Sequence, residues 1–121
     1  MTATDIRVLE RDHRMYEEEV RPFFVEVTNR SGDAWPGGLE QEPRVRLSYH
    51  LRTSDGELLQ YDGLRSPIPA PLAAGETAIV PVVVEAPSAT GIYTVEIDLV
   101  HEAVRWFECA ALVEVNVVPR G

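Results

Sequence analysis

Histidines, cysteine, serines and acidic side chains are where chemistry would reside in this 121-residue chain, and their spacing argues against it. His13, His50 and His101 fall in three separate segments without the spacing of a zinc site. His101-Glu102 begins like a zinc-helix motif, but Arg105 stands where the second histidine would be, in a segment with no helical pattern. The serines sit mostly at turns, with no G-x-S-x-G elbow to present a nucleophile. Gly37-Gly38 is followed by Leu39 and Glu40 rather than by a lysine and a helix, so no phosphate cradle is expected. Asp62 with Glu57, or Asp98 with Glu96, could serve glycosidic acid–base chemistry. Twenty acidic residues make such pairs common, so the pairing carries little information. Neither an enzyme, a metal site nor a bound cofactor is expected.

What remains is a set of aromatic and planar polar side chains suited to binding: Trp35, Tyr61, Asp62, Arg65, His101 and Trp106. Aromatic faces can stack on sugar rings while aspartate and arginine take hydroxyls, and aromatics also anchor protein interfaces. Both tryptophans have a structural reading as well, because loop tryptophans close the ends of sandwich cores. Cys109 alternates with Phe107 and Ala111 and reads as a small buried hydrophobe. His50 reads as a surface residue, and the run Glu17, Glu18, Glu19 as solvated surface.

The elements that must position these residues are strands. Helical periodicity is nearly absent, and nine prolines and eight glycines punctuate the chain at short intervals. Ile6 and Val8 mark a first strand, and Met15 to Val20 reads as a polar connection. Phe23, Val25 and Val27 alternate with Phe24, Glu26 and Thr28; Asn29 to Asp33 then forms a turn before a loop in which Trp35 plugs the core. Val45, Leu47, Tyr49 and Leu51 alternate with Arg46, Ser48, His50 and Arg52, giving one buried face and one wet face. Asp55-Gly56 signals a hairpin with a primed turn leading into Leu58 to Tyr61. Gly63 to Pro71 reads as extended but irregular, and Pro81 marks Thr77 to Ala86 as an edge strand. Tyr93, Val95, Ile97 and Leu99 share one face, with Tyr93 placed as a tyrosine corner. A connection from His101 to Arg105 precedes a final strand alternating from Phe107 to Val117. The pattern predicts one all-β domain over residues 1–121, an immunoglobulin-like antiparallel β-sandwich of about seven or eight strands.

Charge and composition narrow the partners. Eleven basic against twenty acidic residues leave a net charge of −9, which repels nucleic acid and anionic lipid. No window approaches a membrane span, and Met1 to Glu10 lacks the pattern of a signal peptide. One cysteine excludes an internal disulfide, and a reducing, cytoplasmic setting is expected.

The segments VEVTNRSGDAWPGG, VRLSYHLRTSDGELLQYDGLRSPIP and LAAGETAIVPVVVEAPSATGIYTVEIDLVHEAVRWF, with the last valine-rich strand, resemble a bacterial Ig-like accessory domain. Such domains are appended to glycosyltransferases and methyltransferases of surface-polysaccharide clusters. The V-x-N…W-P spacing and the P-x3-G-x-Y run are also similar to the four-tryptophan Ig-like domains of autophagy receptors, with most of those tryptophans missing. A more distant likeness is to the sugar-binding C-terminal domain of O-antigen export ATPases. Glu108-Cys109-Ala110-Ala111 departs from the longer polar connection these resemblances lead one to expect before the last strand. The resemblance implies a non-catalytic binding or accessory module, recognising a glycan or supporting a sugar-modifying partner enzyme. The alternative is a protein-interaction domain or homodimer acting through a sheet edge or through the face carrying Arg46, His50 and Arg52.

Overall fold

The computed structural model describes residues 4–37 and 44–120, with no side-chain description for Thr4 and Asp5. Gly38, Leu39 and Glu40, weighed above as a phosphate loop, lie outside the described residues. Ten strands follow in order: β1 (Thr4–Val8), β2 (Arg14–Tyr16), β3 (Val20–Asn29), β4 (Val45–Thr53), β5 (Leu58–Gln60), β6 (Ser66–Pro67), β7 (Thr77–Glu85), β8 (Gly91–His101), β9 (Arg105–Trp106) and β10 (Ala111–Val118). They form a small sheet, β1-β3-β7, and a large one, β2-β10-β8-β4-β5, in which β6 also pairs with β4 and β9 with β8.

Period-two alternation becomes burial between the two sheets. Phe23, Val25, Val27, Val80, Val82 and Val84 point inward from the small sheet. Val45, Leu47, Tyr49, Tyr93, Val95, Ile97, Leu99, Val113, Val115 and Val117 meet them from the large one. β7 is an edge strand, as Pro81 requires, and the Tyr93 hydroxyl donates to the Ala89 carbonyl at 2.7 Å, closing the tyrosine corner.

Several expectations need correction. The segment read as a polar connection contains β2, which runs parallel to β10 and buries Met15 in the core. Three residues are too few to show a period, and the pairing partner lies about a hundred residues away. The Asp55-Gly56 hairpin forms without a primed turn. Gly56 alone has positive φ, at 91°, its N–H donates to the Thr53 carbonyl at 3.0 Å, and the Thr53 N–H to the Glu57 carbonyl at 2.9 Å. This is a three-residue loop closed by a glycine bulge. Phe107 and Cys109 precede the last strand, which begins at Ala111; both are half-buried and pack on the core from outside the ladder. The connection after His101 is itself a hairpin, because Arg105–Trp106 turns back to pair with Val100 and His101.

Trp35 is buried, at 2% exposure, and meets the edge of Phe107 at 5.7 Å between ring centroids. It is therefore not available as a binding residue, and the core-plug reading holds. Its backbone exchanges two 2.8 Å hydrogen bonds with Leu72. Asn29, also fully buried, organises the preceding turn: its amide donates to the carbonyls of Asp33 and Leu72, and its oxygen accepts from the N–H and hydroxyl of Ser31. The asparagine and tryptophan of the V-x-N…W-P spacing are thus structural parts of the sandwich end.

Candidate functional site

β4 and β8 lie side by side, and their outward positions pair Arg46 with Val100, Ser48 with Asp98, His50 with Glu96 and Arg52 with Thr94. Sequence alternation makes this the wet face, but two segments fold over it. Ser48 and Asp98 are buried, and His50 is half-buried. One covering segment is Tyr61 to Arg65. It reaches inward because Gly63 sits against Tyr49, donating its N–H to the Tyr49 carbonyl at 2.9 Å. A Cβ at residue 63 would lie 2.6 Å from that oxygen and 2.7 Å from the Tyr49 ring, so only glycine fits. Burial raises the Tyr49 phenol above its ordinary value of 10.0, partly offset by backbone hydrogen bonds from Glu85 and Leu64.

The other covering segment is the β8–β9 hairpin and the stretch that follows it. Its turn is closed by the Val104 N–H donating to the His101 carbonyl at 2.9 Å, with Ala103 at φ 62°, a conformation that favours glycine. Glu108 also has φ 61°. Asp98 holds this stretch from beneath: Oδ2 accepts from the Glu108 N–H at 3.0 Å, and Oδ1 from the Cys109 N–H at 3.2 Å, the Cys109 thiol at 3.4 Å and the Leu99 N–H at 2.8 Å. Asp98 is therefore a structural carboxylate and is not exposed to act as an acid or base with Glu96.

Between these segments lies an open cleft of ≈ 810 Å³. Its aromatic wall is a cluster of three rings: His50 lies 4.6 Å from Tyr61 and 4.1 Å from Trp106, and Tyr61 meets Trp106 near-perpendicularly at 5.6 Å. His50 Nδ1 hydrogen-bonds the Tyr61 carbonyl. The Arg65 guanidinium lies 5.2 Å over Trp106 and bonds the Glu102 carboxylate at 3.1 Å, the Ser48 hydroxyl at 3.0 Å and Asp62 at 3.1 Å. Arg46 shares the same Glu102 oxygen at 2.9 Å, and Arg52 pairs with Glu96.

Five of the six sequence candidates gather at this cleft. Tyr61, Arg65, His101 and Trp106 line it, and exposed Asp62 is tied to Arg65 at its rim. Trp35 lies in the core. Sequence reasoning gave His50 and Arg52 only to the alternative interaction face, set Glu96 and Glu102 aside with the catalytic and metal motifs, and placed none of the four at this cleft. The available signal was His50, Arg52 and Glu96 at outward positions of neighbouring strands, with Glu102 just past the end of β8, which requires knowing that β4 and β8 pair. Among the described residues, no group of three or more His, Cys, Asp or Glu side chains is placed to hold a metal ion. Among them, too, no helix is long and apolar enough to cross a membrane.

No protein-family model matches the chain, and no curated protein matches it in sequence. Solved structures do. The CARDB domain of a Pyrococcus furiosus protein, determined in solution, aligns over 96% of this chain and 94% of its own length, at 15% identity and a TM-score of 0.54. A crystal structure of that CARDB domain in complex with di-metal ions aligns over 95% and 87%, at 14% identity and a TM-score of 0.56. The fold is immunoglobulin-like. Spo0M, a sporulation control protein from Bacillus subtilis, aligns over 97% of this chain at 15% identity and a TM-score of 0.56. This chain spans 50% of the Spo0M structure. At such identities the likeness extends to the fold alone.

Proposed function

We propose that the protein is a non-catalytic binding module whose cleft on the outer face of the large sheet recognises a glycan. The observation that carries this reading is the pairing, in one open cleft, of an aromatic wall with polar groups already locked to one another. The His50, Tyr61 and Trp106 rings supply apolar faces, while Arg65, Glu102 and Asp62 hold a fixed array of donors and acceptors. Such an array suits hydroxyl recognition, since little side-chain ordering is left to be lost on binding. The resemblance to accessory domains of surface-polysaccharide enzymes supports the same reading, with the module acting beside a sugar-modifying enzyme, and the single cysteine favours a reducing, cytoplasmic setting for it.

Pairing through a sheet edge is the weaker alternative, because two of the edges are capped. Along β7 the Val83 N–H donates to the Ser66 hydroxyl at 2.9 Å, the Glu85 N–H to the Tyr49 hydroxyl at 3.1 Å, and Pro81, two residues before Val83 on the same strand, has no N–H. Along β2 the Arg14 and Tyr16 N–H groups donate to the carboxylates of Asp12 and Glu19, and Arg21 covers the Arg14 carbonyl. Groups satisfied in this way offer no template to another strand. The wet-face alternative meets the cleft-covering segments, which hold Arg46 through Glu102 and His50 through the Tyr61 carbonyl.

Titration of labelled protein with an oligosaccharide panel, followed through the two indole signals, tests the reading. Trp106 is expected to shift and buried Trp35 to stay, serving as an internal control. If no sugar moves Trp106 at millimolar concentration, the reading fails.

A further inference from the structure

Resting on the glycan reading, we propose that the cleft selects an uncharged sugar, stacked on Tyr61, with two neighbouring hydroxyls held by Arg52 and Glu96. The ring faces decide the platform. Trp106 is occupied by the Arg65 guanidinium at 5.2 Å and by His50 at 4.1 Å. His50 lies against both Trp106 and Tyr61. Tyr61 has His50 on one side and is 53% exposed, so it carries the most open ring of the three. Trp106 is then a pillar that sets the position of His50, which in turn sets Tyr61.

The charges decide the ligand class. Arg52 is paired with Glu96, Arg65 with Glu102 and Asp62, and Arg46 with Glu102. Asp98 is engaged by four donors and buried. The remaining charged residues of the lining, Arg105 and Glu108, are exposed and opposite in sign. At the Arg52–Glu96 and Arg65–Glu102 pairs beside the rings, an anionic sugar would have to draw a guanidinium from its carboxylate, in a chain of net charge −9. At the same pairs an amino sugar would have to draw a carboxylate from its guanidinium. Each exchange breaks a formed ion pair, whereas a neutral ligand leaves all of them in place.

The Arg52–Glu96 pair retains bonding capacity. Arg52 donates through Nε to Glu96 Oε1 and through Nη1 to the Gly56 carbonyl at 3.0 Å. Among the described residues, Arg52 Nη2 and Glu96 Oε2 make no hydrogen bond, and both side chains are partly exposed, at 38% and 21%. A guanidinium nitrogen and a carboxylate oxygen left on one ion pair match a vicinal diol, in which one hydroxyl accepts from Nη2 and the other donates to Oε2.

The test is an NMR titration of the full chain with maltotriose and cellotriose, trigalacturonate and chitotriose with free amines. A neutral trisaccharide is expected to bind at least about tenfold more tightly than either charged one. Tyr61→Ala is expected to weaken it about tenfold while Tyr61→Phe retains it, since stacking needs the ring and not the hydroxyl. Glu96→Gln, which frees Arg52, is expected to reverse the order in favour of trigalacturonate. If a charged trisaccharide binds the wild-type cleft more tightly, or if Glu96→Gln leaves the order unchanged, this inference is overturned and the glycan reading stands. If no trisaccharide perturbs Trp106, both fall.

Discussion

Replacing Asp98 by asparagine removes a charge without changing shape, and the structure sets how much stability it should cost. The carboxylate is 2% exposed and accepts from three backbone N–H groups and one thiol. Asparagine has one oxygen. Its best orientation keeps that oxygen at Oδ1, toward Leu99 and Cys109, and turns its NH2 against the Glu108 N–H. One charge-assisted bond is then lost, a donor is left facing a donor, and the remaining bonds become neutral. Hydrogen bonds to charged groups contribute about 1.5–3 kcal/mol, so the total loss should be about 2–4 kcal/mol. For a chain of this size each kcal/mol lowers Tm by roughly 3–5 °C, giving a fall of about 6–20 °C. Circular dichroism melts would measure this. Because Glu108 and Cys109 stand two and three residues after Trp106, Trp106 fluorescence should shift to the red as the stretch loosens. A Tm within about 2 °C of wild type, with unchanged fluorescence, would refute Asp98 as the anchor of the cleft's outer wall.

Three further outcomes are expected. Gly63→Ala forces a Cβ into the Tyr49 ring and carbonyl, so it should destabilise by about 1–3 kcal/mol and displace Tyr61 and Arg65, read as broadened Tyr61 signals in the free protein. Ala103→Gly relieves a left-handed alanine at φ 62° and should leave stability unchanged or raise it by up to about 1 kcal/mol, checked by urea titration. The Tyr49 phenol is raised in the folded protein, so the unfolded chain releases that proton first. Its contribution should be intact below about pH 10 and lost as pH climbs through the higher folded value, and Tyr49→Phe should flatten this alkaline loss in pH-dependent melts.

Long strands were legible because their side chains repeat against one core. Val45 to Leu51 and Tyr93 to Leu99 each show four inward residues at period two, and Pro81 marked its edge before any pairing was known. β2, β6 and β9 were not legible, since two or three residues carry no period; β2 and β6 exist only through partners in distant segments, and β9 only by folding back on the end of β8. Trp35 could be recognised as a large ring in a loop, but its direction depends on the Asn29 network and the Leu72 backbone. The site was legible as a list of side chains more than as a place. Arg65 and Glu102 stand 37 residues apart, and Arg46 and Glu102 stand 56 apart, yet all three meet on one face. Alternation put His50 on the solvent side of its strand, and only the fold shows Tyr61 and Trp106 closing over it.

The most direct measurement is the set of intermolecular NOEs between ring protons of bound maltotriose and the protein's aromatic side chains. Contacts from the sugar's C–H face to the Tyr61 ring, with none to Phe24 on the opposite sheet, are the result this account requires. Contacts that cluster on Phe24 and on Ile79 of β7, both exposed on the small sheet, or a saturated complex in which Tyr61 touches no sugar proton, would contradict it.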